Sequence, residues 1–333
     1  MKRWTRSQIT AWEGKWFLPT GLATFAAVIL LVVAAVVISS VSGSGEAELL
    51  TKAHEHSSDV TLSSILEAIG FLLLVAPLYF LFRAAASRSD RMRYQLVGLV
   101  IAAPLFFAGS AILNAGATNE ASDQFAAGEA KSTLTAQKAE TECKADENDE
   151  GADDFGKTYD GTAQTEVQGK TPLENCTTTK VADDEAENAL SDASLRGLAT
   201  WFGLGGRLGL AVALFYSCLY GMRTGLLSRF WGSLGMALGV AALLLLVQFT
   251  LIFFLYFGLL LIGKLPGGRP PAWAAGEAIP WPSPGEKMAA QMEPSDPDAI
   301  DVDAVDEDAE PPPTNGNGGP SDGSPPKKRK RRG

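Results

Sequence analysis

The sequence predicts an all-α integral membrane protein of five to six transmembrane helices, and three observations carry that prediction. Long apolar runs alternate with segments that are almost wholly polar, so the average of 46% hydrophobic and 20% charged residues over 333 positions hides a strong segregation. Arginine and lysine cluster on one set of connections between the apolar runs, while aspartate and glutamate crowd the other set. The run 232–263 carries no charged residue at all. The net charge of −10 comes chiefly from two acidic segments, 115–195 and 292–311, so no specific nucleic-acid partner is expected and the lipid bilayer is the main one.

The N-terminal segment 1–16 carries Lys2, Arg3, Arg6 and Lys15 among Trp4, Trp12 and Trp16, the mix that marks a cytoplasmic interface, with indoles at headgroup level. The apolar run that begins at Phe17 outlasts the roughly 7–15 residues of a signal-peptide core, so it reads as an uncleaved first span. A second span covers about Leu62 to Phe82 and includes Glu67 and Pro77. It ends at Arg83, Arg88, Arg91 and Arg93, which face one acid, Asp90, and define a cytoplasmic loop. The third span, about Tyr94 to Leu113, contains Pro104 and completes a membrane unit at 17–113.

An acidic extracellular loop is expected over 114–196. From Glu120 to Asp192 it holds 19 acids against 6 lysines, with too few large apolar residues for a core of its own. Its flanks use helix formers, so the neighbouring spans are expected to continue as helices beyond the membrane. Cys143 and Cys176 lie in this loop; in an oxidising exterior they pair and close a loop of about 34 residues, worth roughly 3–4 kcal/mol in the chain-entropy model. His54 and His56 lie in the preceding outer connection near Glu46, Glu48 and Glu55, yet no third ligand stands at a recognisable spacing, so no metal site is assigned.

The fourth span, within a second membrane unit at 197–263, carries Arg207 and a Gly205/Gly209 spacing that Gly235/Gly239 repeats in the next run, each suited to close helix approach. A single helix over 232–263 would be about 48 Å long, well beyond a hydrocarbon core of about 30 Å. Lys264 and Arg269 follow directly and favour the cytoplasm, so six spans are preferred to five, the last two forming a tight hairpin that turns near Gln248 and Thr250. The tail, 264–333, reads as disordered and cytoplasmic: its prolines and glycines forbid a regular element, Trp273 and Trp281 are suited to lie on the headgroups, and the basic end Lys327 to Arg332 to touch anionic lipid.

The runs RTGLLSRFWGSLGMALGV and PGGRPPAWAAGEAIPWPSPGEK resemble a group of multi-pass membrane proteins of actinobacteria, and RSQITAWEGKWFLP and ALSDASLRGLATW resemble the same group. The likeness leaves out the acidic middle loop and the far tail. It implies a bacterial plasma-membrane protein with six spans, and it brings no activity, cofactor or functional residue.

Glu67 and Arg207 are the ionisable residues expected inside the hydrocarbon region, each about two turns from the outer surface. Three readings stand side by side: a structural pair joining two helices, two residues nearer the interface than assumed, or a polar site for a small solute, ion or lipid headgroup. No nucleophile and base, phosphate loop or cofactor motif rises from the sequence, so an enzyme is not expected. A non-catalytic structural or envelope-associated component is the first expectation, and a transporter or channel subunit using Glu67 and Arg207 the alternative.

Overall fold

The computed structural model describes residues 5–150, 172–244, 247–265 and 268–281, and over these the chain is helical, with no strand. In chain order the helices are α1 (Arg6–Ser39), α2 (Glu46–Glu55), α3 (Ser57–Arg88), α4 (Val97–Ala126), α5 (Ala136–Glu150), α6 (Pro172–Asp192), α7 (Arg196–Arg223), α8 (Arg229–Leu243), α9 (Thr250–Ile262) and α10 (Pro271–Ala275). Four of them, α1, α3, α4 with its leading 3-10 turn, and α7, are long and apolar enough to cross a membrane.

Local sequence explains where the helices start and stop. Thr5 opens α1 through a capping box: its hydroxyl accepts the Gln8 N–H at 3.4 Å, while the Gln8 side chain accepts the Thr5 N–H at 3.0 Å. The segment expected to lie at the interface is therefore already the first part of the helix. Ser228 caps α8 by accepting the Trp231 N–H. At the far end of α9, Gly263 turns left-handed at φ 79°, and the Nε of Arg269 donates to the Leu260 carbonyl at 3.2 Å, with Nη2 on that of Leu261. The Leu261 carbonyl at the helix end gains its partner from the guanidinium, while that of Leu260, which already accepts the Gly263 N–H, gains a second.

The membrane-length helices and the α8–α9 hairpin form a closed circuit, α1 on α3, α3 on α4, α4 on α7, α7 on α8, α8 on α9, and α9 back on α1. Small residues set the close contacts. A Cβ on Gly209 would stand 2.8 Å from that of Ala103 on α4, and Gly235 faces Cys218 on α7 and Phe253 on α9. Phe82, Leu78, Leu214, Phe253 and Phe257 fill the centre, all with almost no exposed surface. In lipid such packing stabilises through dispersion rather than through release of water.

The uncharged run 232–263 is broken as expected. The chain leaves α8 at Leu244 and enters α9 through a 3-10 turn at Val247–Phe249, where the Thr250 hydroxyl donates to the Val247 carbonyl at 2.6 Å. Trp231 stacks on Tyr256 with centroids 3.7 Å apart while Gly235 meets Phe253, so α8 and α9 run antiparallel. At 15 and 13 residues they are about 22 and 20 Å long.

The third span continues as a helix beyond 113, to Ala126, as its flank predicts. On the other flank the expected continuation is corrected: α6 and α7 are separate helices, divided at residues 193–195. Disorder from residue 264 onward is also overturned for residues 268–281. Pro271 occupies the first turn of α10, where its missing N–H costs nothing, and Trp273 is 3% exposed within the bundle. Prolines and glycines exclude a long element here, but not a single turn anchored by an indole. The remaining tail, 282–333, with its basic end, and the middle of the acidic segment, 151–171, lie outside the described residues.

Candidate functional site

The two ends of the bundle are built differently. At the end where α1 starts, α3 ends and α9 ends, Glu13 and Arg88 form a bidentate ion pair in which Nη2 donates to Oε2 at 2.8 Å, both side chains having essentially no exposed surface. The same Nη2 donates to the Ala272 carbonyl at 3.1 Å, and the guanidinium lies 5.6 Å from the Trp273 ring. That indole stacks on Phe80 at 5.8 Å, meets Phe17 edge-on, and donates its Nε1–H to the Leu226 carbonyl at 2.9 Å. Trp281 repeats the device on the Leu227 carbonyl at 2.8 Å, and the Ile279 N–H donates to the Thr224 carbonyl. Between them Gly225 adopts φ 76°, with the Ile279 carbonyl where a side chain would stand. Residues 268–281 are thus a plug that joins α1 and α3 to the connection between α7 and α8.

The opposite, acidic end uses carboxylates as caps. Asp183 of α6 accepts the Ala47 N–H at the start of α2 at 2.9 Å. Asp184 accepts the N–H groups of Thr133 and Leu134 and the Ser132 hydroxyl, all within 2.9 Å, ordering the turn before α5. Glu120 of α4 accepts the N–H and hydroxyl of Ser194, before α7. A carboxylate engaged in this way favours its charged form. The Asp184 carboxyl is held below the ordinary range by the Leu134 N–H first and then the Ser132 hydroxyl. Glu48 is brought down to about 2 by Lys52, with help from Ser44. Glu46 moves the other way, raised by burial and then by Glu187 and Asp183.

Cys143 on α5 and Cys176 on α6 are joined in a disulfide, with Cα atoms 6.1 Å apart. His54 Nδ1 lies 3.0 Å from Asp123, and His56 Nδ1 lies 3.7 Å from Asp59. A small alanine-rich cluster, Ala117 and Ala121 of α4 with Leu50, Ala186 and Ala189, seats α2 and α6 on the extended α4. The acidic segment therefore packs on the extension of α4 through a small cluster separate from the core of the bundle.

Glu67 and Arg207 are not brought together. No ion pair or hydrogen bond joins them among the described residues. Phe107 of α4 stacks on Phe71, centroids 4.7 Å apart, and also fills the notch left by Gly206, so an aromatic ring separates α3 from α7 at that depth. This register puts Arg207 level with Phe71, about one helical turn deeper than Glu67. Glu67 instead borders a cavity of about 240 Å³ near the acidic end, walled by Ile38 of α1, Val60, Ser63 and Ser64 of α3, and Asn114 of α4.

The Glu13–Arg88 pair and the plug escaped sequence reasoning. One signal was present: Glu13 is the only acid in the first 45 residues, set among basic neighbours, and an isolated acid inside a helical apolar context is a candidate for pairing. Comparison with known protein families, curated proteins and solved structures gives no match for this chain.

Proposed function

We propose that the chain is a non-catalytic, structural or envelope-associated protein of the bacterial plasma membrane, which crosses the bilayer six times and holds a folded acidic cap on the outer face. The observation that carries this reading is the capping role of three carboxylates: Asp183 and Asp184 fasten α2 and the turn before α5 to α6, and Glu120 fastens the start of α7 to α4. The disulfide between Cys143 and Cys176 suits an oxidising exterior. Arginines at the opposite end support a cytoplasmic N-terminus. Antiparallel packing of α8 and α9 supports the same side for the tail, since a return hairpin brings the chain back whatever depth its turn reaches. The resemblance to actinobacterial membrane proteins fits this location.

The reading is tested at both faces. A cysteine introduced as Ser321→Cys is expected to resist a membrane-impermeant maleimide in intact cells and to react after permeabilisation; labelling of intact cells overturns the topology. Deleting residues 136–192 in cells is expected to alter envelope integrity, measured as detergent sensitivity, while Glu67→Gln leaves it unchanged. A transporter or channel subunit is the alternative reading, favoured by the cavity beside Glu67. Solute flux in proteoliposomes that is lost in Glu67→Gln would establish it over the structural role.

A further inference from the structure

The Glu67 cavity has a chemical bias. Ser63 Oγ donates its proton to the Val60 carbonyl at 2.9 Å, and Ser64 Oγ to the Thr61 carbonyl at 2.8 Å. An amide hydrogen of Asn114 goes to Ser110 Oγ at 3.2 Å, and that hydroxyl donates on to the Ala199 carbonyl. With these hydrogens engaged along the helices, the Ser63 and Ser64 oxygens, the Asn114 Oδ1 and the Glu67 carboxyl offer lone pairs at the cavity wall, and the rotatable Ser42 and Thr118 hydroxyls can turn a lone pair or a proton towards a ligand. Glu67 is the one charged residue among the described residues that line it, and no ion pair joins it to any of them. Several acceptors around one carboxyl call for a ligand rich in donors and positively charged.

The rest of the wall narrows the class. Ile38, Val41, Leu49 and Val60 make much of the lining aliphatic. A hard metal ion takes about six to eight oxygen ligands and gains nothing from such a wall. An ammonium group on a short apolar body matches both halves, the head on Glu67 and the body on the side chains of α1 and α2. A charge at this depth is costly when alone, so a cationic partner stabilises the ionised carboxylate.

We propose that this cavity binds the ammonium group of an amphiphilic amine, with Glu67 as counter-ion and Ser63, Ser64 and Asn114 as hydrogen-bond acceptors. Binding is independent of transport, and it stands whether the amine is a free alkylamine or the headgroup of an aminophospholipid.

The test uses the full-length protein. In maltoside micelles, hexylammonium is expected to raise the unfolding midpoint saturably, and equimolar hexanol to give no saturable shift. In Glu67→Gln the hexylammonium affinity falls about 30-fold or more, as when one member of a desolvated charge pair is removed. Ala115→Phe, which fills the cavity from α4 while keeping the carboxyl, abolishes the response and serves if the Gln variant does not fold. In nanodiscs of phosphatidylglycerol, added phosphatidylethanolamine identifies the source: protection by that lipid without a hexylammonium response assigns the headgroup, and a hexylammonium response assigns a free amine. Failure of both ammonium sources overturns the proposal, as does equal hexylammonium binding in wild type and Glu67→Gln, or saturable binding retained in Ala115→Phe.

Discussion

The tryptophan end and the acidic end solve the same problem, joining helices that are distant in sequence, with opposite chemistry. At the first, Arg88, Glu13 and Trp273 are buried together, so each contact is removed from solvent and depends on its partners. At the second, Glu48 is exposed to water and Asp184 half-buried, and the strongest link between α5 and α6 is covalent. Buried interactions are little affected by salt but fail badly when one member is lost; exposed caps are individually weak and titrate. The tryptophan end is therefore the fixed base of the molecule, and the acidic end is where local opening starts.

Breaking the buried pair is expected to have the largest effect. Glu13→Ala leaves the Arg88 guanidinium buried without its carboxylate and is expected to destabilise by about 3–5 kcal/mol, measured by denaturant unfolding in micelles. Arg88→Ala should cost a comparable amount, and the double variant clearly less than the sum, because the second change relieves the charge stranded by the first. Additive costs would show that the two side chains act independently. Next comes the disulfide. Cys143→Ser is expected to cost about 2–4 kcal/mol. Hydrogen exchange should rise in α5 and α6 while α1 and α3 stay protected, and a uniform rise would erase the contrast between the ends.

A smaller effect follows from one cap. Asp183→Ala removes the acceptor at the start of α2 and is expected to cost about 1 kcal/mol, with faster exchange confined to residues 46–50. Acidification is expected to act least and only at the acidic end. The lowered carboxyls of Asp184 and Glu48 stabilise the fold above the ordinary carboxylate range near pH 4, and their contribution is lost as pH falls, for Glu48 through about 2. Glu46, raised by burial, contributes in the opposite sense, since its repulsion with Glu187 and Asp183 is relieved on protonation. A pH titration followed by exchange in α2 and α5 checks this: loosening on acidification supports it, and tightening would mean that Glu46 dominates.

Much of the architecture was legible because its signals are local. Apolar runs of span length, the glycine spacings and the turn around Gln248 each lie within a few helical turns of sequence, and the structure keeps all of them. The candidate site was legible only in part. Glu67 was recognisable as an ionisable residue in an apolar run, but its pairing with Arg207 rested on similar depth along separate helices. Depth along a helix says nothing about what packs between two helices, and here Phe107 lies between Phe71 of α3 and Gly206 of α7. Trp273 and Trp281 were misplaced onto headgroups for a related reason. An indole beside a membrane is equally suited to lipid and to a helix end that offers free carbonyls.

The sequence by itself determined that the chain is helical, where its four long apolar helices run, and that two cysteines share one acidic segment. Backbone polar groups in an apolar medium must be satisfied within the segment that carries them, so these features follow from composition along a short stretch. Only the tertiary structure decided that Glu13 meets Arg88 across 75 residues, that residues 268–281 close one end of the bundle, and that Glu67 borders a cavity rather than Arg207. Those outcomes depend on how helices rotate and pack against one another, where a single aromatic ring or a missing Cβ selects the neighbour.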